Sequence, residues 1–263
     1  MGAPPSVSEN LAGRRIVVTR PAVQAEPFCA RLERAGATVF RFPVIEIRGP
    51  SAPEALQDLL ANLDHFDLAV FVSANAVERF VPLVLENGPW PASLRIGAIG
   101  ARTAQALAEQ GTPAVIVPAR RFDSEALLAE PALQDVRGWR VVIVRGEGGR
   151  EHLAERLRER GADVTYAEVY RRALPETDAA ALGSELRAGR VDAVTVTSGE
   201  SLRNLVAMVG AADRQVLLNT PLVAGAERVA EQARELGFRG PIVAADNPTD
   251  AAMLKALRLL LND

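Results

Sequence analysis

The sequence predicts an α/β protein built from parallel sheets covered by helices, and three observations carry that expectation. Apolar, β-branched runs at Arg15–Thr19, Asp67–Val72, Arg140–Val144 and Asp192–Val196 have the composition of strands buried on both faces. Each is followed by apolar positions at helical spacing, as Leu202, Leu205, Val206 and Val209 follow the last, so strands and helices alternate. The third observation is an internal correspondence. At an offset of 125 residues, set by Asp67 on Asp192, the stretch through Ser73 falls on the stretch through Ser198, and Arg15–Arg20 falls on Arg140–Arg145. Gly36-Ala37 likewise falls on Gly161-Ala162, and Gly100-Ala101 on Gly225-Ala226. Agreement over so many separate elements reads as a tandem duplication of a small α/β unit. Two such halves are expected to face each other across a cleft.

Taken in order, residues 1 to about 13 read as an unstructured leader. Arg15–Thr19 is a strand, and Pro21 opens a helix that Gly36 ends. Ala37–Phe42 is a second strand, followed by an extended passage over Pro43–Arg48. Pro50 and Pro53 turn into a helix carrying Leu56, Leu59, Leu60 and Leu63. The strand at 67–72 leads to a helix through Leu85, closed by Asn87-Gly88-Pro89. Arg95–Ile99 is a strand, Ala101–Gln110 a helix ended by Gly111, Ala114–Val117 a strand, and Ser124 the N-cap of a helix over Glu125–Ala129. The second copy begins with the strand Trp139–Val144 and a helix to Arg160, then the strand Asp163–Val169 continued by Tyr170-Arg171-Arg172. A helix from Asp178 to Gly189 precedes the strand at 192–197 and its helix. The chain closes with the strand Leu222–Ala224, a helix led by Gly225, the strand Pro241–Ala244, and a helix capped by Thr249-Asp250.

Composition bounds the function. A chain of 263 residues with 48% hydrophobic content can bury the cores of two small domains. A net charge of −3 argues against nucleic acid, which wants a basic stripe. No apolar run is long enough to span a bilayer, and the N-terminus lacks the regions of a secretory signal. Met1-Gly2-Ala3-Pro4-Pro5-Ser6 fits the loose myristoylation pattern but reads better as a short leader. Cys29 is the only cysteine, beside Phe28 on an apparent helix, which excludes an internal disulfide and suits a reducing cytoplasm.

Among motifs, Arg145-Gly146-Glu147-Gly148-Gly149-Arg150 follows a strand but has Glu151 where a dinucleotide fingerprint needs its third glycine. The loop reads either as an anion seat made of backbone N–H groups or as a tight turn. His65 and His152 lie in different copies without an acidic or cysteine cluster at ligand spacing, so neither a metal site nor a histidine base is expected. What recurs is a row of helix starts at strand ends, at Ser73, Gly100, Gly146, Ser198 and Gly225, with Arg20 and Arg145 at equivalent strand ends. Such ends favour anions through unpaired N–H groups and the helix dipole, each contributing about 0.3–1 kcal/mol. Each serine alone is an ordinary N-cap. The set together suits a ligand carrying many carboxylates or phosphates.

Several of these stretches resemble uroporphyrinogen-III synthase. They are Val18-Thr19-Arg20-Pro21, Phe71-Val72-Ser73-Ala74-Asn75-Ala76-Val77, Arg145-Gly146 with Gly149-Arg150-Glu151, Glu168-Val169-Tyr170-Arg171, Val196-Thr197-Ser198-Gly199-Glu200, and Ala244–Thr249. The resemblance spans about residues 15 to 260, with its pieces in order. It implies two similar flavodoxin-like parallel-sheet domains joined by a two-stranded linker. The first would be 1–42 plus 173–263 and the second 46–168, with linkers at 43–45 and 169–172. It also implies a cofactor-free and metal-free cytoplasmic lyase that cyclises hydroxymethylbilane, a substrate with eight carboxylates, with loss of water and inversion of ring D. Carried over motif by motif, the substrate-binding residues would be Thr19, Arg20, Ser73, Asn75, Arg145, Gly146, Thr197, Ser198 and Gly199. Tyr170 would be the catalytic residue that assists departure of the hydroxyl; the alternative is that it packs a hinge. The partner implied is a small polycarboxylate tetrapyrrole, with neither nucleic acid nor membrane, and the protein is expected to be a monomer. A sugar-nucleotide transferase and a non-catalytic two-lobed anion-binding protein are the competing functions.

Overall fold

The computed structural model describes residues 11–119 and 123–262. The strands are β1 (Arg15–Val18), β2 (Thr38–Arg41), β3 (Glu46–Arg48), β4 (Leu68–Phe71), β5 (Arg95–Ala98), β6 (Arg140–Gly146), β7 (Asp163–Ala173), β8 (Ala193–Val196), β9 (Leu222–Ala224) and β10 (Ile242–Ala244). The helices are α1 (Ala22–Arg34), α2 (Pro53–Ala61), α3 (Ala74–Asn87), α4 (Ala101–Glu109), α5 (Ser124–Ala129), α6 (His152–Glu159), α7 (Ala179–Arg187), α8 (Gly199–Met208), α9 (Ala211–Asn219), α10 (Glu227–Glu235) and α11 (Asp250–Asn262).

These elements form two compact units. The first comprises the residues up to Glu46 together with those from Ala173 onward; the second is Ile47–Arg172. The first unit holds a five-stranded sheet of order β10-β9-β8-β1-β2, and all four of its pairings are parallel. The second unit's sheet has order β3-β7-β6-β4-β5, with parallel pairing from β7 through β5. The offset of 125 lays β2, β1, β8 and β9 onto β7, β6, β4 and β5 in that spatial order. It lays β10 beside Ile116, which bridges Gly97 of β5.

The apolar runs become strands because both of their faces are covered. In the second unit Ala69, Phe71, Val142 and Val144 pack with Phe80, Val84 and Leu107 on one side. Leu68, Val70, Val141 and Ile143 pack with Leu127, Leu153 and Leu157 on the other. All four residues of β4 are fully buried. In the first unit Ile16 and Val18 join Phe28, Cys29, Leu32, Met253 and Leu257. Burial also pushes the Cys29 thiol above its ordinary pKa, which suits a packing residue.

Three expectations need correction, and one helix has no counterpart among them. The leader lies largely outside the described residues, but Leu11 is buried and its N–H donates to the Ala35 carbonyl at 2.7 Å. Ala114–Val117 is no strand: only Ile116 bridges the sheet edge, and Val115 is 78% exposed. The cap of α5 is Asp123, whose carboxylate accepts from Ala126 N–H at 2.8 Å, rather than Ser124. Helix α9 has little apolar periodicity in its sequence; Asp213 and Leu217, one turn apart, supply its buried side.

Candidate functional site

At the carboxyl edge of the second sheet, β4 leads through Val72 to Ser73. Its extended backbone lets Oγ accept the Ala76 N–H at 3.1 Å and cap α3. The same Oγ lies 3.2 Å from the Tyr170 hydroxyl. Tyr170 comes from β7, whose pairing with β6 shifts register between Arg145 and Gly146, so that Gly146 stands opposite Tyr170. A Cβ on Gly146 would lie 2.4 Å from Cε2 of the Tyr170 ring, so only glycine leaves room for it. The ring is buried, 2% exposed, and the Arg172 guanidinium lies 5.7 Å from its centroid.

Ser73, Arg145, Gly146 and Tyr170 line one cavity of about 310 Å³, completed by Ser124, Gly148, Gly149, Arg150, Tyr166 and Arg172 among others. The sequence singled out the first four of these. Asn75 sits half-buried in the first turn of α3.

Arg145 is 6% exposed and fully engaged. Its Nη1 donates to Glu151 at 2.9 Å, its Nε lies 3.6 Å from Glu168, and its guanidinium stacks 4.3 Å from the Tyr166 ring centroid. The Tyr166 hydroxyl donates to the same Glu151 carboxylate. That bond, with help from Arg145, holds the Glu151 carboxyl below its ordinary pKa of 4.5. Burial, and then the bond to Glu151, push the Tyr166 phenol up.

In the first unit the corresponding edge carries the other expected residues. Thr19 is fully buried and its Oγ1 donates to the Thr195 carbonyl at 2.7 Å, so its side chain is bound into the sheet. Arg20 pairs with Asp250, donates to the Pro248 carbonyl at 2.8 Å, and covers the Phe28 ring at 4.7 Å. Ser198 caps α8 through Ser201 N–H at 3.1 Å, repeating Ser73. Thr197 and Gly199 flank it, half-buried.

The sequence reasoning missed Glu151 and Tyr166 as members of the site. The internal correspondence held the signal: the same offset puts Glu151 on Glu26 and Tyr166 on Arg41, and Arg41 binds Glu26 at 3.0 Å.

Two parallel-sheet α/β units with capped helix starts and arginines at their sheet edges, one with a tyrosine-walled cavity, gather their polar groups at the strand ends, where proteins of open α/β sheets bind ligands. Comparison with known proteins narrows the class. A family model described as uroporphyrinogen-III synthase HemD matches residues 26–255, and the chain belongs to that family. The uroporphyrinogen-III synthase of Escherichia coli K12 is 38% identical over 246 residues, covering 92% of this chain and 99% of its own. That of Synechococcus elongatus is 35% identical, covering 74% of this chain and 75% of its own. The crystal structure of a mutant uroporphyrinogen III synthase from the extreme thermophile Thermus thermophilus aligns over 94% of this chain and 98% of its own, at 25% identity and a TM-score of 0.65.

Proposed function

We propose that this chain is a uroporphyrinogen-III synthase, a cyclising hydro-lyase of tetrapyrrole biosynthesis. It takes linear hydroxymethylbilane, expels its terminal hydroxyl as water, and closes the macrocycle with ring D inverted. The observation that carries this reading is the placement of the family-matched tyrosine: Tyr170 is held between Gly146 and Ser73 on the wall of a cavity at the sheet's carboxyl edge.

In this reading the Tyr170 hydroxyl, aligned by Ser73, donates a hydrogen bond or proton to the departing hydroxyl. Ser73, Asn75, Arg145 and Gly146 shape the second unit's binding edge. Thr19, Arg20, Thr197, Ser198 and Gly199 form that of the first, Thr19 through its backbone alone. Several anion-favouring helix ends suit a ligand with eight carboxylates. The reaction proceeds without metal or cofactor, on a cytoplasmic monomer. A cytoplasmic place suits the lone free cysteine, Cys29.

The test is product analysis. Purified protein given hydroxymethylbilane is expected to yield mainly the type III isomer. Formation of the type I isomer alone, at the rate seen without protein, would overturn the proposal.

A further inference from the structure

The cavity beside Tyr170 contains more positive charge than its buried arginine suggests, and the two kinds of arginine there differ in what they are free to do. Arg145, the one the motifs point to, is 6% exposed and bound to two carboxylates, Glu151 at 2.9 Å and Glu168 at 3.6 Å. Its charge is more than balanced before any ligand arrives. An incoming carboxylate would have to displace Glu151, which is also held by the Tyr166 hydroxyl. Arg150 lines the same cavity from the loop before α6. It is exposed, and among the described residues no ion pair or hydrogen bond engages it.

The other charged groups in the lining are Asp123 and Arg172. Asp123 faces the cavity but its carboxylate caps α5 at 2.8 Å from Ala126 N–H. Arg172 lies against the Tyr170 ring. Beside Arg150 the loop passes through Gly148 and Gly149 at φ of 70° and 110°, a path closed to other residues without strain. The cavity of about 310 Å³ sits at the small end of ligand sites, too small for four linked rings.

We infer that this cavity seats a single pyrrole ring of the substrate through one of its carboxylate arms, that Arg150 is the counter-ion for that arm, and that Arg145 is a strut shaping the seat. The inference rests on the synthase reading and names the group that positions one ring beside Tyr170. A free guanidinium gains a charge-assisted hydrogen bond without first losing one, whereas Arg145 would only exchange carboxylates.

The experiment compares Arg150→Gln, Arg150→Lys and Arg145→Gln with the parent, using hydroxymethylbilane turnover, isomer ratio and thermal midpoint. Parent activity tests the synthase reading by itself, so an inactive parent fails that reading and not merely this inference. With an active parent, Arg150→Gln is expected to raise KM by about tenfold or more, the size of one charged hydrogen bond, with kcat changed little and the midpoint unchanged. The increase should shrink as salt screens the exposed charge, and Arg150→Lys should recover much of it. Arg145→Gln should instead lower the midpoint and affect kcat and KM together. A monopyrrole bearing one acetate and one propionate arm should compete with hydroxymethylbilane in the parent, and more weakly in Arg150→Gln. An unchanged KM in folded Arg150→Gln, or an Arg145→Gln variant that raises KM alone at full stability, would overturn the assignment.

Discussion

The two units repeat one plan, yet their twin arginines are held in different ways. In the first, Arg41 on β2 binds Glu26 at 3.0 Å and Glu33 at 3.1 Å, and Arg20 pairs instead with Asp250 at the start of α11. In the second, the offset puts Tyr166 where Arg41 stood, and a phenol brings no charge to Glu151, the twin of Glu26. Glu151 therefore takes Arg145, and Glu125, the twin of Asp250, lies 4.0 Å from His152. A second difference sits at the twin of Ile45, which is buried apolar packing in the first unit and Tyr170 in the second. A change from arginine to tyrosine redirects an ion pair, and a change from isoleucine to tyrosine brings a hydroxyl to the sheet edge. Serine caps and strand order stay fixed while the chemistry diverges.

The largest expected effect tests whether that hydroxyl matters. Tyr170→Phe keeps the ring and should slow turnover by up to about 10²-fold, the low end for general acid assistance, and lower the share of type III product. Unchanged rate and ratio would reduce Tyr170 to the packing role of Ile45. Next, Gly146→Ala drives a methyl into the Tyr170 ring and should cost about 1–3 kcal/mol in denaturant melts, with activity falling alongside. A neutral result there would mean that the ring moves aside freely. Ser73→Ala and Ser198→Ala remove matching caps, so both should lose about 0.5–2 kcal/mol of stability; the first should also lower kcat, through Tyr170, whereas the second, at the first unit's binding edge, should act on KM. Complete inactivity of a well-folded Ser73 variant would give Ser73 a chemical role.

The smallest effect concerns Glu26 and Glu151, which are both held below their ordinary 4.5, the first chiefly by its bond to Arg41 and the second chiefly by its bond to Tyr166. Their contribution is present above that value and is lost as pH falls through the lower folded pKa. Glu26→Gln and Glu151→Gln should each flatten the decline in thermal midpoint on the acid side of 4.5, with little change near neutrality. An equally steep decline in both variants would remove these pairs from the acid limb.

Much of the fold was legible because strand signals here are strong. The runs at Ile16–Val18 and Leu68–Phe71 are apolar on both faces, as strands of a covered parallel sheet are. Legibility failed where tertiary context decides. Ile116 has strand composition, but at the sheet edge it forms an isolated bridge opposite Gly97. Helix α9 is held through Asp213, which pairs with Arg187 and occupies space left by Gly183, and neither contact has a sequence signature. At the site, motifs led to Ser73, Gly146 and Tyr170, but the charge balance of Arg145 rests on side-chain contacts with Glu151 and Glu168, and the pairing of Gly146 with Tyr170 on a register shift, and no spacing reveals either.

The route of the chain through the first sheet sets a timetable for its synthesis. The second unit is one continuous stretch, Ile47–Arg172, and has all its strands once β7 has been made. Strand β1, by contrast, pairs Ile16 with Ala193 of β8, so its inner edge stays open while the whole second unit is translated. At roughly 5–20 residues per second that wait is on the order of 10–30 s, during which Ile16, Val17 and Val18 offer a bare apolar edge. A chain interrupted near Arg172 therefore leaves a completed second unit attached to a sticky strand pair, a species that holdase chaperones and proteases are suited to recognise.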